Sequence, residues 1–319
     1  MKLIIQIPCY NEASTLAKAL SYLPKEVLGF DQVEWLIIND GSMDDTVKIA
    51  KENGVHHIVN FQKNKGLAEG FKAGIMEALQ QGADVIVNTD ADNQYDAQYI
   101  PNLVEPILNG EAEVVIGARP ISTIKHFSPI KKILQNLGSY VVRKVSHTSI
   151  PDAPSGFRAI SKDAAMKLNV YNSYTYTLET IIQAGRNNIS MTSVDIKVNE
   201  DLRPSKLVKS ISSYVKKSIG TMLRIFVVYE PFKFFMNIGL FFIFLSLLLG
   251  IRYLFFFFTG NGDGHIQSLI LTSILAGIGF QTILTSFMAD ITSVNRKLLE
   301  DIKYEQRRSR FSDSSTKKK

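Results

Sequence analysis

Val85-Ile-Val-Asn-Thr-Asp-Ala-Asp-Asn-Gln94 (VIVNTDADNQ) is an apolar run that stops on two carboxylates. Read as a strand over Asp84–Thr89, it sets Asp90 and Asp92 at the strand's carboxyl end. Residues i and i+2 of an extended chain point to the same side, so both carboxylates aim at one point. Two like charges so placed repel unless a cation or a proton sits between them.

Upstream, the same pattern recurs. Leu3–Ile7, Glu34–Ile38 and His57–Asn60 read as short buried strands, and Glu113–Ala118 as a fifth. Between them lie helical stretches: Glu12–Leu20, which Asn11 is placed to cap; Asp44–Asn53, ended by Gly54; and Leu67–Gln81, followed by Gly82. Strands alternating with helices imply a mostly parallel sheet covered on both faces. Ligands of such sheets bind at the carboxyl ends of the strands. The Pro8–Glu12 loop, Asp40 and Asp90 all fall just past such ends and are expected to converge.

The last third is different. Phe234–Phe258 carries Arg252 as its only charge, and Ile266–Ala289 carries none. At ~1.5 Å per residue each exceeds the ~30 Å hydrocarbon core of a bilayer. The connecting Thr259–His265 holds no Lys or Arg. Lys206, Lys209, Lys216, Lys217, Arg224 and Lys233 precede the pair, and Arg296, Lys297, Lys303, Arg307, Arg308 and Arg310 follow it. The positive-inside rule then puts both flanks, the N-terminal domain and both termini in the cytoplasm. Within 206–230, Leu207, Ile211, Val215, Ile219, Met222 and Phe226 share one helical face. The basic residues share the other, as in a helix lying in a membrane interface. The expected organisation is a domain over 1–205, an interface helix over 206–230, a two-helix hairpin over 231–292 and a basic tail over 293–319. The tail's end, Arg307–Lys319, reads as disordered.

The net charge of +6 is concentrated after Arg203. Anionic lipid headgroups suffice as its partner, so nucleic acid is not expected. The one cysteine, Cys9, allows no internal disulfide, which suits a reducing compartment. The opening MKLIIQIPCYNE has an apolar run broken by Gln6 and Pro8, and is expected to be a strand rather than a secretory leader.

Alone, two acids at this spacing are more often solvated loop residues than a metal site. Their company points further. Ile7-Pro-Cys-Tyr-Asn-Glu12, Asn39-Asp-Gly-Ser42, Asn64-Lys-Gly66 and Asp90-Ala-Asp92 occur in this order, and together they resemble the GT-A fold glycosyltransferases of family 2 over about residues 1–205. Asp90-Ala-Asp-Asn-Gln94, Gly117-Ala-Arg119, Ser155-Gly-Phe-Arg158, Glu179 and Arg203-Pro-Ser-Lys206 resemble the polyprenyl-phosphate branch, which includes dolichyl-phosphate mannose synthase and bacterial polyprenyl-phosphate glucosyltransferases.

The resemblance implies an α/β domain of GT-A type and an inverting transfer of a hexose from a nucleotide-diphosphate sugar to a polyprenyl phosphate. UDP-sugars are favoured, with GDP-mannose the other donor. Pro8, Tyr10, Asn11, Glu12, Asp40, Lys65, Gly66 and Asp90 would bind the donor. Asp90, Asp92 and Gln94 would hold Mg²⁺ or Mn²⁺. Arg119, Ser155, Arg158, Glu179, Arg203 and Lys206 would face the acceptor phosphate, with Arg119 also counted as catalytic. Chemistry agrees on two points. Hard divalent ions bridge carboxylates to phosphates, and guanidinium groups bind phosphate as a fork. The partners would then be a nucleotide sugar, the lipid phosphate, the bilayer and, through the apolar helices, a second copy of the chain. Two other readings compete: extension of a glycan on a sugar hydroxyl, and a membrane-anchored nucleotide-binding scaffold without catalysis. Against the first, no Q-x-x-R-W motif occurs, Trp35 being the only tryptophan.

Overall fold

The structure is a computed structural model, and it describes residues 1–121, 129–171, 176–199, 219–221, 223–224, 227–260 and 262–316. Two compact units are present, Met1–Ile219 with Glu300–Lys319, and Gly220–Leu299.

The first unit is built on a seven-stranded sheet of order β3-β2-β1-β4-β6-β5-β7. β1 (Lys2–Cys9), β2 (Gln32–Asn39), β3 (His57–Asn60) and β4 (Val85–Asn88) run parallel, as the alternation of strands and helices requires. α1 (Ala13–Ser21), α2 (Thr46–Glu52), α3 (Leu67–Gln80) and α4 (Ile100–Leu108) connect and cover them. Leu3, Ile5, Ile7, Leu36, Ile37, Val85 and Val87 are wholly buried and form much of the core. Gly54 and Gly82 adopt φ of 75° and 79°, the left-handed conformation that ends a helix at little cost.

Beyond β4 the sheet changes character. β5 (Val114–Ala118) does not pair with β4. β6 (Arg158–Ser161) inserts between them, antiparallel to both, and β7 (Met191–Asp195) pairs parallel to β5 at the edge. α5 (Pro129–Ser146) lies in the β5–β6 connection, α6 (Lys162–Lys167) follows β6, and α7 (Thr177–Arg186) precedes β7. β6 and β7 are short and partly polar, and the sequence reading did not place them.

The second unit holds α8 (Pro231–Phe258) and the first part of α9, which runs Ile266–Thr316. Both helices are long and apolar enough to cross a membrane, and only 11% and 6% of their most apolar windows are buried. A core helix of that composition would be mostly covered. Small residues let the pair approach: a Cβ on Gly239 would lie 2.6 Å from Ile283 Cγ1, and Ser246 Oγ donates to the Thr272 carbonyl at 2.9 Å. One expectation is corrected. The tail does not become irregular at Arg307, because α9 continues to Thr316. From Glu300 onward α9 belongs to the first unit, where Phe311 is buried.

Candidate active site

Three loops at the carboxyl ends of β1, β2 and β3 are tied into one rim. Asn11, at φ 54°, does not cap α1 as expected. Its Oδ1 accepts from Met43 N at 2.8 Å, its own N–H donates to Ser42 Oγ at 2.9 Å, and Glu12 takes the cap position. The left-handed backbone turns the Asn11 side chain toward the β2 loop instead. Glu12 N donates to Thr46 Oγ1 at 2.9 Å, and its carboxylate accepts from Thr15 Oγ1. The two Asp40 oxygens accept the backbone N–H groups of Lys65 at 2.6 Å and Gly66 at 2.9 Å. Asp40 thus fixes the Asn64–Gly66 loop. Gly41 is required there, since at φ 70° a Cβ would sit 2.6 Å from the Lys63 carbonyl carbon. Around this rim Pro8 is half-buried, Tyr10 is exposed, and Lys65 Nζ lies 4.5 Å over the Phe61 ring.

The acidic pair lies past β4, not within it. β4 ends at Asn88, so a turn rather than strand alternation brings Asp90 and Asp92 together, with Asn93 at φ 58°. Asp92 Oδ1 accepts from Gln94 N at 3.1 Å. Asn199 holds the turn from outside, donating its side chain to Asn93 O at 3.0 Å and its N–H to Gln94 O at 2.9 Å. Burial, then the charge of Asp92, pushes the Asp90 carboxyl up to about 7, against the opposing pull of Arg119 and Arg158. The turn therefore stores the like-charge repulsion that a bound cation relieves. Among the described residues no group of three or more His, Cys, Asp or Glu side chains gathers. An ion that takes its remaining ligands from phosphate and water needs no third carboxylate. Asp90 and Asp92, with Gln94 adjoining, fit such an ion.

A polar ladder supports the pair from below. Gln6 Nε2 donates to Asn88 Oδ1 at 2.9 Å, and Asn88 Nδ2 donates to Gly156 O and Tyr176 Oη, each at 2.8 Å. Gly156 N donates to Tyr95 Oη at 2.9 Å. A Cβ on Gly156 would lie 3.1 Å from Tyr176 Oη and 3.5 and 3.6 Å from the Asp90 oxygens, so the glycine lets this loop approach the carboxylate. Tyr176 stacks on Phe71 with centroids 3.9 Å apart.

The other wall is cationic. Arg119 follows β5 and forks onto Asp152, Nε to Oδ2 at 2.7 Å and Nη2 to Oδ1 at 3.0 Å, with the side chains 7% and 1% exposed. Burial works against its charge, but Tyr95 and Asp152 outweigh it and hold the guanidinium protonated. Asp152 uses two of its five N–H donors. Arg158 differs from expectation. It stands on β6, a strand flanked on both sides, so its side chain is wholly buried. It donates to Thr180 Oγ1 at 2.6 Å, to Thr177 O at 3.3 Å and to Ser155 O. It acts on Asp90 through its field, not as an outward phosphate clamp. Ser155 Oγ is buried without a hydrogen-bond partner. Glu179 Oε2 accepts from Tyr171 N at 3.0 Å. Arg203, Lys206 and most of the expected interface helix lie outside the described residues. Asp152, Asn88, Gln6, Tyr95, Gly156 and Tyr176 were not anticipated. For Gln6 and Asn88 a signal exists, a polar side chain inside an otherwise apolar strand, which must find a buried partner.

Comparison with known proteins identifies the family of the domain. The sequence profile described as Glycosyl transferase family 2 matches residues 4–168. The chain belongs to this family. It is 30% identical over 213 residues to a UDP-N-acetylglucosamine–dolichyl-phosphate N-acetylglucosaminyltransferase of Methanococcus voltae, covering 60% of this chain and 83% of the relative. It is 27% identical to an undecaprenyl-phosphate mannosyltransferase of Micrococcus luteus, covering 65% and 88%. In fold it resembles glucosyl-3-phosphoglycerate synthase of Mycobacterium tuberculosis, solved with Mn²⁺, UDP and product, with a TM-score of 0.54 and 17% identity over 71% of this chain and 78% of that one. The family 2 domain is thus a glycosyltransferase of GT-A type.

Proposed function

We propose that this chain transfers one sugar from a nucleotide-diphosphate donor to a polyprenyl phosphate at a membrane surface, with inversion at the anomeric carbon. The observation that supports this reading is the buried Arg119–Asp152 fork, whose guanidinium acts on Asp90 of the acidic turn and in this reading faces the donor's diphosphate. The M. voltae and M. luteus relatives are named for polyprenyl-type phosphate acceptors, and the former's name favours a UDP-sugar over GDP-mannose.

In this reading Pro8, Tyr10, Asn11, Glu12, Asp40, Lys65 and Gly66 form the nucleotide rim. Asp90 and Asp92, with Gln94, hold Mg²⁺ or Mn²⁺, which neutralises charge on the departing nucleoside diphosphate when bound. Arg119 and Ser155 orient the lipid phosphate, with Arg203 and Lys206 assigned to the same task. One phosphate oxygen forms the new bond to the anomeric carbon as the bond to the donor diphosphate breaks. That oxygen is already ionised near neutral pH, so no strong base is required. Glu179 is engaged by Tyr171 N and orients that segment. Transfer to a sugar hydroxyl would instead demand a carboxylate positioned to take a proton.

The proposed organisation is a cytoplasmic domain over 1–205, an interface helix over 206–230, two membrane spans within 231–292, a cytoplasmic segment over 293–319, and a homo-oligomer through the spans. α5 adds to the membrane-facing surface. Ile130, Ile133, Leu137 and Tyr140 are exposed along one stripe, and the helix carries basic but no acidic residues.

The test is an incubation of membranes containing the protein with undecaprenyl phosphate and labelled UDP-glucose, UDP-N-acetylglucosamine, UDP-galactose or GDP-mannose, with and without EDTA. One donor is expected to label the lipid as a sugar monophosphate, and EDTA to abolish the label. Label in a glycan, or in no lipid with any donor, contradicts the proposal.

A further inference from the structure

The last turns of α9 present Lys303, Tyr304, Arg307 and Phe311 at spacings that share one helical face. Within the first unit that face lies on α6 and the segment after it. Tyr304 Oη donates to Asp163 Oδ1 at 2.7 Å, and Phe311 is buried. Arg307 Nη1 donates to the carbonyls of Met166 at 2.9 Å and Leu168 at 2.8 Å. These belong to the C-terminal end of α6, where helix carbonyls lack intrahelical partners, so a residue from the far end of the chain caps it. Lys303 Nζ lies 5.1 Å over the Tyr171 ring.

The capped segment is gripped from its other side by α7. Asn169 N donates to Gln183 Oε1 at 2.7 Å, and Tyr171 N to Glu179 Oε2 at 3.0 Å. The first turns of α7 in turn hold the Arg158 guanidinium through Thr177 and Thr180, and Arg158 bears on Asp90. The hydrogen bonds named in this chain run through α6, α7 and β6, whereas those of Asn11 and Asp40 run to the loops after β2 and β3.

We infer that Arg307 is a positioning residue for the acceptor side of the site: by capping α6 it fixes the Leu168–Tyr171 segment, and through α7 the cationic wall. The C-terminal end of the chain is therefore part of the catalytic domain and not an appended tail. The kinetic part of this inference rests on the polyprenyl-phosphate reading, whereas the structural part does not.

The test uses the full chain in lipid nanodiscs. Amide hydrogen exchange at Asn169 and Tyr171 is expected to quicken about tenfold in Arg307→Ala, and less in Tyr304→Phe, which loses only the Asp163 bond. Arg307→Lys, which keeps a donor, is expected to recover part of the protection. With undecaprenyl phosphate as acceptor, Arg307→Ala is expected to raise KM for the lipid about tenfold and to leave KM for the nucleotide sugar within about twofold. Unchanged exchange at both amides overturns the inference. So does an equal rise in both KM values, or a fall in kcat alone, since each describes general loosening. If the wild-type chain does not use undecaprenyl phosphate, the proposed function fails, and the exchange arm still decides the role of Arg307.

Discussion

The two halves of the sheet solve opposite problems. In the parallel half, β3-β2-β1-β4, the strand ends present carboxylates and backbone N–H groups, and side chains cross-tie the loops through backbone N–H groups, as Asp40 does with Lys65 N and Gly66 N. In the mixed half, β6-β5-β7, buried arginines are fixed by side-chain forks and carbonyls, as in Arg119–Asp152 and Arg158–Thr180. The first half leaves an unrelieved negative charge at the acidic turn. The second sets permanent positive charge against it. Under the proposed function, transfer of a sugar from a nucleotide diphosphate to a lipid phosphate needs both, and an antiparallel strand inserted between β4 and β5 brings them within electrostatic reach.

This contrast predicts that damage to each half has a different signature. The largest effect is expected from Asp92→Asn, which lowers turnover by on the order of 10²–10³ with little loss of stability, because it relieves repulsion on Asp90. A steady-state assay beside a thermal melt checks it, and a normal rate removes the acidic turn from the mechanism. In the other half, Asp152→Ala leaves Arg119 buried and unpaired. It is expected to cost ~3–5 kcal/mol, measured by denaturant unfolding, and a loss below ~1 kcal/mol shows that the two halves do not differ as described. Gly156→Ala, at the seam, places a methyl against Tyr176 Oη and Asp90. About a tenfold fall in turnover with a smaller change in stability is expected, and the reverse pattern makes Gly156 a packing residue only.

The mildest effect concerns pH. The Asp90 carboxyl titrates near 7 in the folded chain, above the ~4 of an unfolded one. Between those values the metal-free native state holds the extra proton, so its stability falls as pH rises through the window. A divalent cation needs the ionised form. Mn²⁺ affinity is expected to weaken by up to ~tenfold per pH unit below about 7, read by titration at pH 6, 7 and 8. A flat profile shows that Asp90 does not bind the ion.

The parallel half was legible in sequence because each strand is a short apolar run bounded by a helix signal, and β3 fell on its residues, His57–Asn60. The mixed half was not. β6 is four residues long and begins with an arginine, and no periodicity says that such a strand inserts between two others. Asp90, Asp92 and Arg119 were singled out from their motifs. Asp152 was missed because an acid in a loop carries no sign that a distant arginine will fork onto it. Arg158 was assigned outward because its type suits phosphate, and only the topology shows that its strand is interior. The helical tail had a readable signal, the spacing of Tyr304, Arg307 and Phe311, which its basic composition obscured.

The central claim is that the acidic turn clamps a divalent cation against the donor's diphosphate. Titration of UDP into the full chain, with and without Mn²⁺, tests it most directly when repeated on Asp90→Ala and Asp92→Ala. Mn²⁺ is expected to tighten UDP binding by about a hundredfold in the wild type, the scale of one metal–phosphate contact of several kcal/mol, and to leave both variants almost unaffected. An equal gain in the variants would contradict the account.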